Sequence, residues 1–477
     1  MAETQSTPAP SPDTGRWSDV FKGRLGIYAL VLNMGTILFG TSNFVVIAIM
    51  PTIASDIGGL RYYAWTFALF SVGSMVGAAG TGPMRQAFGH RLTYVGGGIL
   101  FVAGLVGAGL APNMELVVFW RLVQGVGGGA INSQAYALIA QMFPENLRGR
   151  ALGLISTAWG VATLMGPAFG GFFAEFGNWR GAFWTLAGFG VVFTLLAWCY
   201  VPASESKGGL ADFPVTRLAL LGGSVLGLSL TSQIDDNLIR LLLVIGSVAG
   251  AAIAFRRDAR AEHSLFPRKV LVLNSELGAA FWIIMLGSMT MVGSNLFVTL
   301  YLQVLHGVTP LVASLIYAIY SITWSTVAVL VASWTGRLES SAIAGGLVIM
   351  MSGLMGIAFI VATGPVVAIA CLLGLVGVGM GFINNPVIQR AIAAAPPAER
   401  AGTGSSVAAI RTLGYSFGAA LGGLVAAVAG LTNDAAPEIL APAMEWVYLV
   451  GTAFPMIGLL VAIPLLVHGH RRMTGDG

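Results

Sequence analysis

Charged side chains are the scarcest feature of this sequence. Asp, Glu, Lys and Arg make up 9% of its 477 residues, whereas a soluble domain carries roughly 25%, so there is too little charge to coat a water-facing surface. Cysteine is almost absent: Cys199 and Cys371 fall inside apolar stretches, which excludes a disulfide framework and predicts small packing residues. The histidines, His90, His263, His306, His468 and His470, have no ligand-like grouping, so neither a metal nor a cofactor is expected. Acids are rare near the apolar runs. Glu115, Glu175, Asp235, Asp236 and Glu276 stand close to predicted helix ends and Asp56 in a predicted loop, leaving no constellation for an enzyme. No secretory signal is evident, because the first apolar run is too long for a cleavable segment. The net charge of +4 comes from basic residues spread among short loops, so nucleic acid is not an expected partner.

What remains is hydrocarbon and glycine. Hydrophobic residues reach 56% and glycine numbers 65, a composition suited to helices that pack closely in lipid. A spanning helix needs about 20 apolar residues. Fourteen such runs are readable, at 25–50, 62–80, 92–110, 115–141, 151–174, 182–201, 213–231, 238–255, 276–302, 310–333, 341–361, 365–388, 402–429 and 443–467. Their length predicts helices rather than barrel strands. The expected fold class is all-α, a polytopic membrane protein with fourteen transmembrane helices. Lys and Arg orient it. With the N-terminus cytoplasmic, 18 of the 24 basic residues fall on the inner side, only Arg61 and Arg180 fall outside, and Arg121, Arg217, Arg240 and Arg411 lie within spans. Both termini are therefore expected in the cytoplasm, with residues 1–15, rich in Pro, Ser and Thr, as a disordered start.

An internal repeat organises the runs. A shift of 252 residues lays "QGVGGGAINSQ" at Gln124 over "VGVGMGFINNP" at Val376, pairing Gly125 with Gly377, Gly127 with Gly379, Gly129 with Gly381 and Asn132 with Asn384. The same shift pairs Ser42 and Asn43 with Ser294 and Asn295, and Arg85 with Arg337. The expected organisation is a cytoplasmic tail 1–24, a six-helix half 25–203, a linker with two extra helices 204–262, a second six-helix half 263–469 and a tail 470–477. Parallel repeats of this kind place a substrate site near the midplane between halves that rock around it.

Several motifs resemble the fourteen-helix drug:proton antiporter group of the major facilitator superfamily over nearly the whole chain. "RLVQGVGGGA" (Arg121, Gln124, Gly125) is similar to its fourth-helix signature, "GPAFGG" (Gly166, Pro167, Gly170, Gly171) to its fifth-helix antiporter signature, and "NWRGAFW" (Trp179, Arg180) to the pair before helix six. "LYLQVLHGVTPLVAS" and "GTGSSVAAIRTLGYSFGAALG" also resemble later helices of the group. The resemblance implies a bacterial inner-membrane efflux pump for small lipophilic or amphipathic compounds, with membrane lipids around it, protons as coupling ion and a monomeric state expected. It also implies gating roles for Gly82, Arg85, Gln86, Gly89 and Arg91 in the predicted loop "GPMRQAFGHR" and for Gly166, Pro167, Gly170 and Gly171. The chain departs from the group at two places. Gln86 and Ser42 stand where it has acids, and His90 where it has Arg, so weak or unusual proton dependence is expected.

Candidate cavity residues follow from polarity inside apolar runs. Arg121 must find partners or water, since a charge in a span costs at least about 2.5 kcal/mol; it could serve the cavity or donate structurally to helix 1 carbonyls. Asn43, Asn132, Gln134, Asn295, Asn384, Asn385, Gln389 and Arg411 admit the same two readings, cavity lining or interhelical hydrogen bonding. Tyr317, Tyr320 and Trp324, with Trp159, could stack on cargo or simply pack. The glycines after Arg121 resemble a dinucleotide fingerprint only superficially, lacking the preceding strand; close helix packing is the better reading. Alternatives to drug efflux are transport of a specific anionic or neutral metabolite, peptide or siderophore, a lipid flippase, and a sensor with a transporter body.

Overall fold

The computed structural model describes residues 16–203, 214–261, 264–332, 334, 336–395, 400–431 and 436–474. The start at 1–15, Lys207 and His263 lie outside them. All regular structure among the described residues is helical. The first helices are α1 (Trp17–Val20), α2 (Gly23–Ile57), α3 (Tyr63–Leu110), α4 (Met114–Met142), α5 (Glu145–Glu175) and α6 (Trp179–Tyr200). They are followed by α7 (Val215–Leu230) and α8 (Asn237–Ala259). The remainder are α9 (Glu276–Asn295), α10 (Val298–Val304), α11 (Pro310–Leu330), α12 (Gly336–Ile360), α13 (Val366–Ala394), α14 (Arg400–Val428) and α15 (Pro437–Thr474). Among the described residues, eleven helical segments are long and apolar enough to cross a membrane.

Helix starts follow local chemistry. The side chains of Asn113, Asn178, Asp236 and Ser275 accept from the first-turn amides of α4, α6, α8 and α9, and Pro310 occupies the first turn of α11, where its missing N–H costs nothing. Three expectations about where helices begin, end or break need correction. The predicted loop at 82–91 is helical, and α3 runs 48 residues through it, interrupted by a non-helical Gly89 at φ 79° and ψ 173°. A straight helix of that length would span roughly 72 Å, over twice a bilayer's hydrocarbon thickness. The chain instead doubles back at Gly89, because both its early part (Phe70, Ser74) and its late part (Gly97, Phe101) touch the same short stretch of α4. Asp56 belongs to the last turn of α2 rather than to a loop. Finally, the run 276–302 is broken at Leu296–Phe297 between α9 and α10.

Glycine sets the helix spacing. A Cβ on Gly125 or Gly129 would collide with the carbonyls of Phe70 and Ser74, and one on Gly127 with the backbone of Phe101. The matching glycines of α13 behave alike: Gly377 lies on the Tyr320 carbonyl, Gly381 on that of Trp324 and Gly379 on that of Gly346. In each case a helix packs backbone-to-backbone against two neighbours, as small residues allow in lipid. Cys199 and Cys371 are exposed rather than packed, which corrects their expected role; in an apolar span the outer face meets lipid, so no partner is needed.

Helices α7 and α8 form a hairpin against α3 and α14. Trp65 of α3 donates its indole N–H to the Ser229 carbonyl at 3.0 Å and to Ser232 Oγ at 3.1 Å. At the other end Asp258, 2% exposed, pairs with Arg217 and accepts the backbone N–H groups of Leu265 and Phe266, both at 2.9 Å. Removing one member of a buried ion pair strands the other at a cost of about 3–5 kcal/mol. Asp258→Ala is therefore expected to lower the melting temperature of purified protein by several degrees, while the same change at exposed Asp235 leaves it unaltered.

Candidate transport site

Two arginines inside the apolar runs define two polar centres. Arg121 on α4 is fully buried. Its Nε donates to the Thr66 carbonyl at 3.3 Å, its Nη1 donates to Gln124 Oε1 at 2.7 Å, and its guanidinium lies 3.9 Å from the centre of the Phe70 ring. Gln124 in turn donates to Ser42 Oγ at 2.8 Å. The carbonyl comes from α3, not from the first spanning helix as expected, because the glycine-mediated approach of α3 to α4 leaves Thr66 directly opposite. Nη2 is buried without an acceptor, and no carboxylate pairs with Arg121 among the described residues.

The second centre is Arg411 on α14. Its Nη2 donates to Asn384 Oδ1 at 2.8 Å. The Asn384 amide N–H donates to Asn385 Oδ1 at 3.0 Å, and Asn385 donates to the Ala328 carbonyl of α11 at 2.9 Å. A narrow cleft between α9 and α13 opens on this group, lined by Ile283, Ile284, Met380, Asn384 and Arg411 among others. Tyr320, Tyr415 and, from α4, Tyr136 lie within electrostatic reach of the guanidinium. Trp159 on α5 packs edge-on against Phe39 of α2 at 5.7 Å.

The other expected residues divide between these centres and the framework. Tyr317 and Tyr320 are buried and stacked at 6.2 Å, with Trp324 6.2 Å beyond Tyr320. Gln389 donates to the Ala332 carbonyl at 3.1 Å, so with Asn385 it holds α13 to α11. Asn43 donates to the Phe39 carbonyl of its own helix at 3.2 Å. Asn132 keeps a buried Oδ1 without a donor, and Asn295, 1% exposed, has no partner for either amide atom. Gln134 is fully buried and donates to the His90 carbonyl at 3.3 Å, tying α4 to the bend in α3. At that bend Arg91 Nε donates to the Val201 carbonyl at 2.7 Å, while Arg85 is half-buried, Gln86 exposed, and Gly82 borders open space. Gly166 and Gly170, on either side of Pro167, face Phe44 and Val45 of α2, and Gly171 faces Leu311 and Ser314 of α11.

Helices α2–α6 meet α9–α15 along two seams, α5 with α11 and α3 with α14. At the end carrying Tyr63 and Glu175 the seams are shut. Tyr63 stacks on Phe297 at 5.3 Å, Thr299 Oγ1 donates to the Ile47 carbonyl at 2.6 Å, and the Leu311 N–H donates to Glu175 Oε2 at 3.0 Å. An added Cβ on Gly423 would sit 2.7 Å from that of Ala64.

Two charged clusters join residues whose pairing the sequence did not signal. Asp56 Oδ2 accepts from Trp179 Nε1 at 2.9 Å and Arg180 Nη1 at 2.7 Å, which fastens the Trp-Arg pair to the end of α2. Arg390, 7% exposed, sits 3.0 Å from Glu339 and 3.5 Å from Glu276 and donates to the Leu465 carbonyl at 3.0 Å. Their acids lie near helix ends, where solvation is the default expectation; only the three-dimensional pairing identifies them.

Comparison with known proteins fits this arrangement. The family model described as Major Facilitator Superfamily matches residues 32–419. A Mycobacterium tuberculosis protein named "Probable multidrug-efflux transporter Rv1634" is 31% identical over 444 residues, covering 89% of this chain and 91% of its own. The Staphylococcus aureus "Multidrug efflux pump SdrM" is 23% identical over 308 residues, covering 64% of this chain and 68% of its own. Among solved structures, an inward-facing bacterial homologue of the human lysosomal transporter Spinster superposes with a TM-score of 0.67 at 14% identity, covering 94% of this chain and 98% of that one. A peptide transporter crystallised with sulfate gives 0.66 at 15% identity, covering 93% and 95%. A chain of apolar helices packed through glycine, with a family match over most of its length, belongs to the Major Facilitator Superfamily and is a membrane transporter rather than an enzyme.

Proposed function

We propose that the chain is a secondary active transporter of the cell membrane that exports small lipophilic or amphipathic compounds by alternating access. In this reading it has fourteen spans, with α3 supplying two of them. Helices α2–α6 and α9–α15 form two parallel repeats, and α7 and α8 are an insertion. Both termini are cytoplasmic, so the end carrying Tyr63 and Glu175 is the outer one. The observation that carries the reading is the closed seam at that end, where the two helix groups meet through contacts that are reversible in kind, among them one ring stack, two hydrogen bonds and the approaches of Gly171 to Leu311 and of Gly423 to Ala64. A seam of that kind can open without unfolding either group, as hinge or rocking motion requires. The matched glycine packing of α4 and α13 supports the repeat, and the multidrug-efflux relatives support the export direction.

Arg121 is proposed as the principal polar group of the first repeat and Arg411 of the second, with Asn43, Asn132, Asn295, Asn384 and the Tyr317–Trp324 aromatics around the path. Proton dependence is proposed to be weak, because Ser42 offers no titratable group to the Arg121–Gln124 chain. The test is uptake of a panel of lipophilic dyes into inside-out vesicles. Accumulation should exceed that of empty vesicles and change little when a pH gradient is imposed. Vesicles that accumulate none of the panel above background would overturn the export reading, and substrate-driven proton movement would overturn the coupling.

A further inference from the structure

We infer that the Arg411 cleft binds the negatively charged head of the cargo, so that the compounds moved are aromatic organic anions such as carboxylates. This rests on the transport reading above and adds a substrate class to it. Two arginines of the fold carry acids: Arg217 has Asp258, and Arg390 has Glu276 and Glu339. Arg411, like the enclosed Arg121, receives none among the described residues. It is nonetheless held in place, since Asn384 accepts from it while donating to Asn385, which is itself anchored on the Ala328 carbonyl of α11. That chain fixes which face of the Asn384 amide meets the guanidinium. The Arg411 Nε–H is left buried with no acceptor.

A half-buried cation that is held in position, with its Nε shielded and one acceptor short, is a receptor for an oxyanion. A guanidinium presents its N–H groups as a fork matched to a carboxylate, and such charge-assisted bonds are roughly twice as strong as neutral ones. The adjoining cleft encloses about 10 Å³, on the order of one water-sized sphere. It admits no more than that as it stands, so an anionic head would enter only as α9 and α13 part. The body would extend beyond the cleft toward aromatic rings near Arg411, Tyr320 and Trp324 from α11 and, from the other helix group, the 43%-exposed Tyr136. A lipophilic cation placed there would meet a like charge with no carboxylate to offset it. Arg121 does not compete for the role, being enclosed by Phe70, Thr66 and Gln124.

A matched series tests the assignment: tritiated 2-naphthoate, its neutral methyl ester and 2-naphthylmethylammonium, measured for equilibrium binding and for transport with the full chain in proteoliposomes. The carboxylate should bind at least about tenfold more tightly than either analogue, a margin of about 1.4 kcal/mol. Arg411→Gln should abolish that preference and Arg411→Lys should retain part of it, with unchanged melting temperatures confirming that both variants fold. Equal binding of the three compounds by the wild type, preference for the cation, absence of binding by all three, or a carboxylate preference that survives Arg411→Gln would each overturn the inference. Transport of the ester without charge preference would leave the export reading intact. Carboxylate binding that depends on Arg411 but is never followed by transport would instead defeat the export reading and leave the site standing.

Discussion

Arg121→Ala is expected to lower transport at least about tenfold, with the protein still inserted in the membrane. The guanidinium makes two charge-assisted hydrogen bonds and covers the Phe70 ring. Bonds of that type contribute about 1.5–3 kcal/mol each, and 1.4 kcal/mol already corresponds to tenfold. Alanine also opens a cavity beside Phe70, so stability should fall with transport. Arg121→Met separates the two effects, because it refills the volume beside the ring without supplying charge. Methionine should restore most of the melting temperature and little of the transport. Lysine should fall between, since one ammonium group cannot fork between Thr66 and Gln124 while lying flat on a ring. If the methionine variant transported at the wild-type rate, Arg121 would be a packing residue only.

The second large effect concerns backbone contact. Gly129→Val should prevent accumulation of folded protein, because its Cβ would overlap the Ser74 carbonyl. That atom belongs to helix backbone and cannot rotate away. Overpacking of a yielding core costs about 1–3 kcal/mol, and a clash between two helix backbones must exceed it. Gly160, on α5 with nothing near its missing Cβ, supplies the control. Gly160→Ala should be neutral or slightly stabilising, as a helical glycine carries a penalty of roughly 0.5–1 kcal/mol relative to alanine. Size-exclusion profiles and melting temperatures of the two variants check this pair, and a well-folded Gly129→Val protein would show that α3 and α4 are not held at backbone distance.

Much of this architecture was legible because hydrocarbon imposes simple rules. Long apolar runs had to be helices, the glycines after Arg121 had to be contact points, and Arg121 had to turn inward. What escaped the sequence depends on pairing at long range. Nothing local to Thr66 marks it as the acceptor for Arg121, and nothing near Glu276 or Glu339 marks Arg390 as their shared partner. The bend at Gly89 was legible as a break but not as its form: a single residue at positive φ reverses the chain, so the expected loop is helix on both sides. The amides were ambiguous for a physical reason, since an amide satisfies a carbonyl on a neighbouring helix as readily as a cargo. Asn385 and Gln389 hold α13 to α11, whereas Asn384 orients Arg411.

The proposal that the two helix groups rock about a shared path is tested most directly by locking the seam at its closed end. Cys199 and Cys371, both exposed, are first replaced by serine, and Ala64→Cys and Gly423→Cys are then combined. Their Cβ positions are close enough that a small outward shift gives the roughly 3.5–4.5 Å separation of a disulfide. Oxidation should form the crosslink in nearly all molecules, reduce transport to the background of empty vesicles, and be reversed by a thiol reductant. Transport at the uncrosslinked rate by fully crosslinked protein would contradict the account.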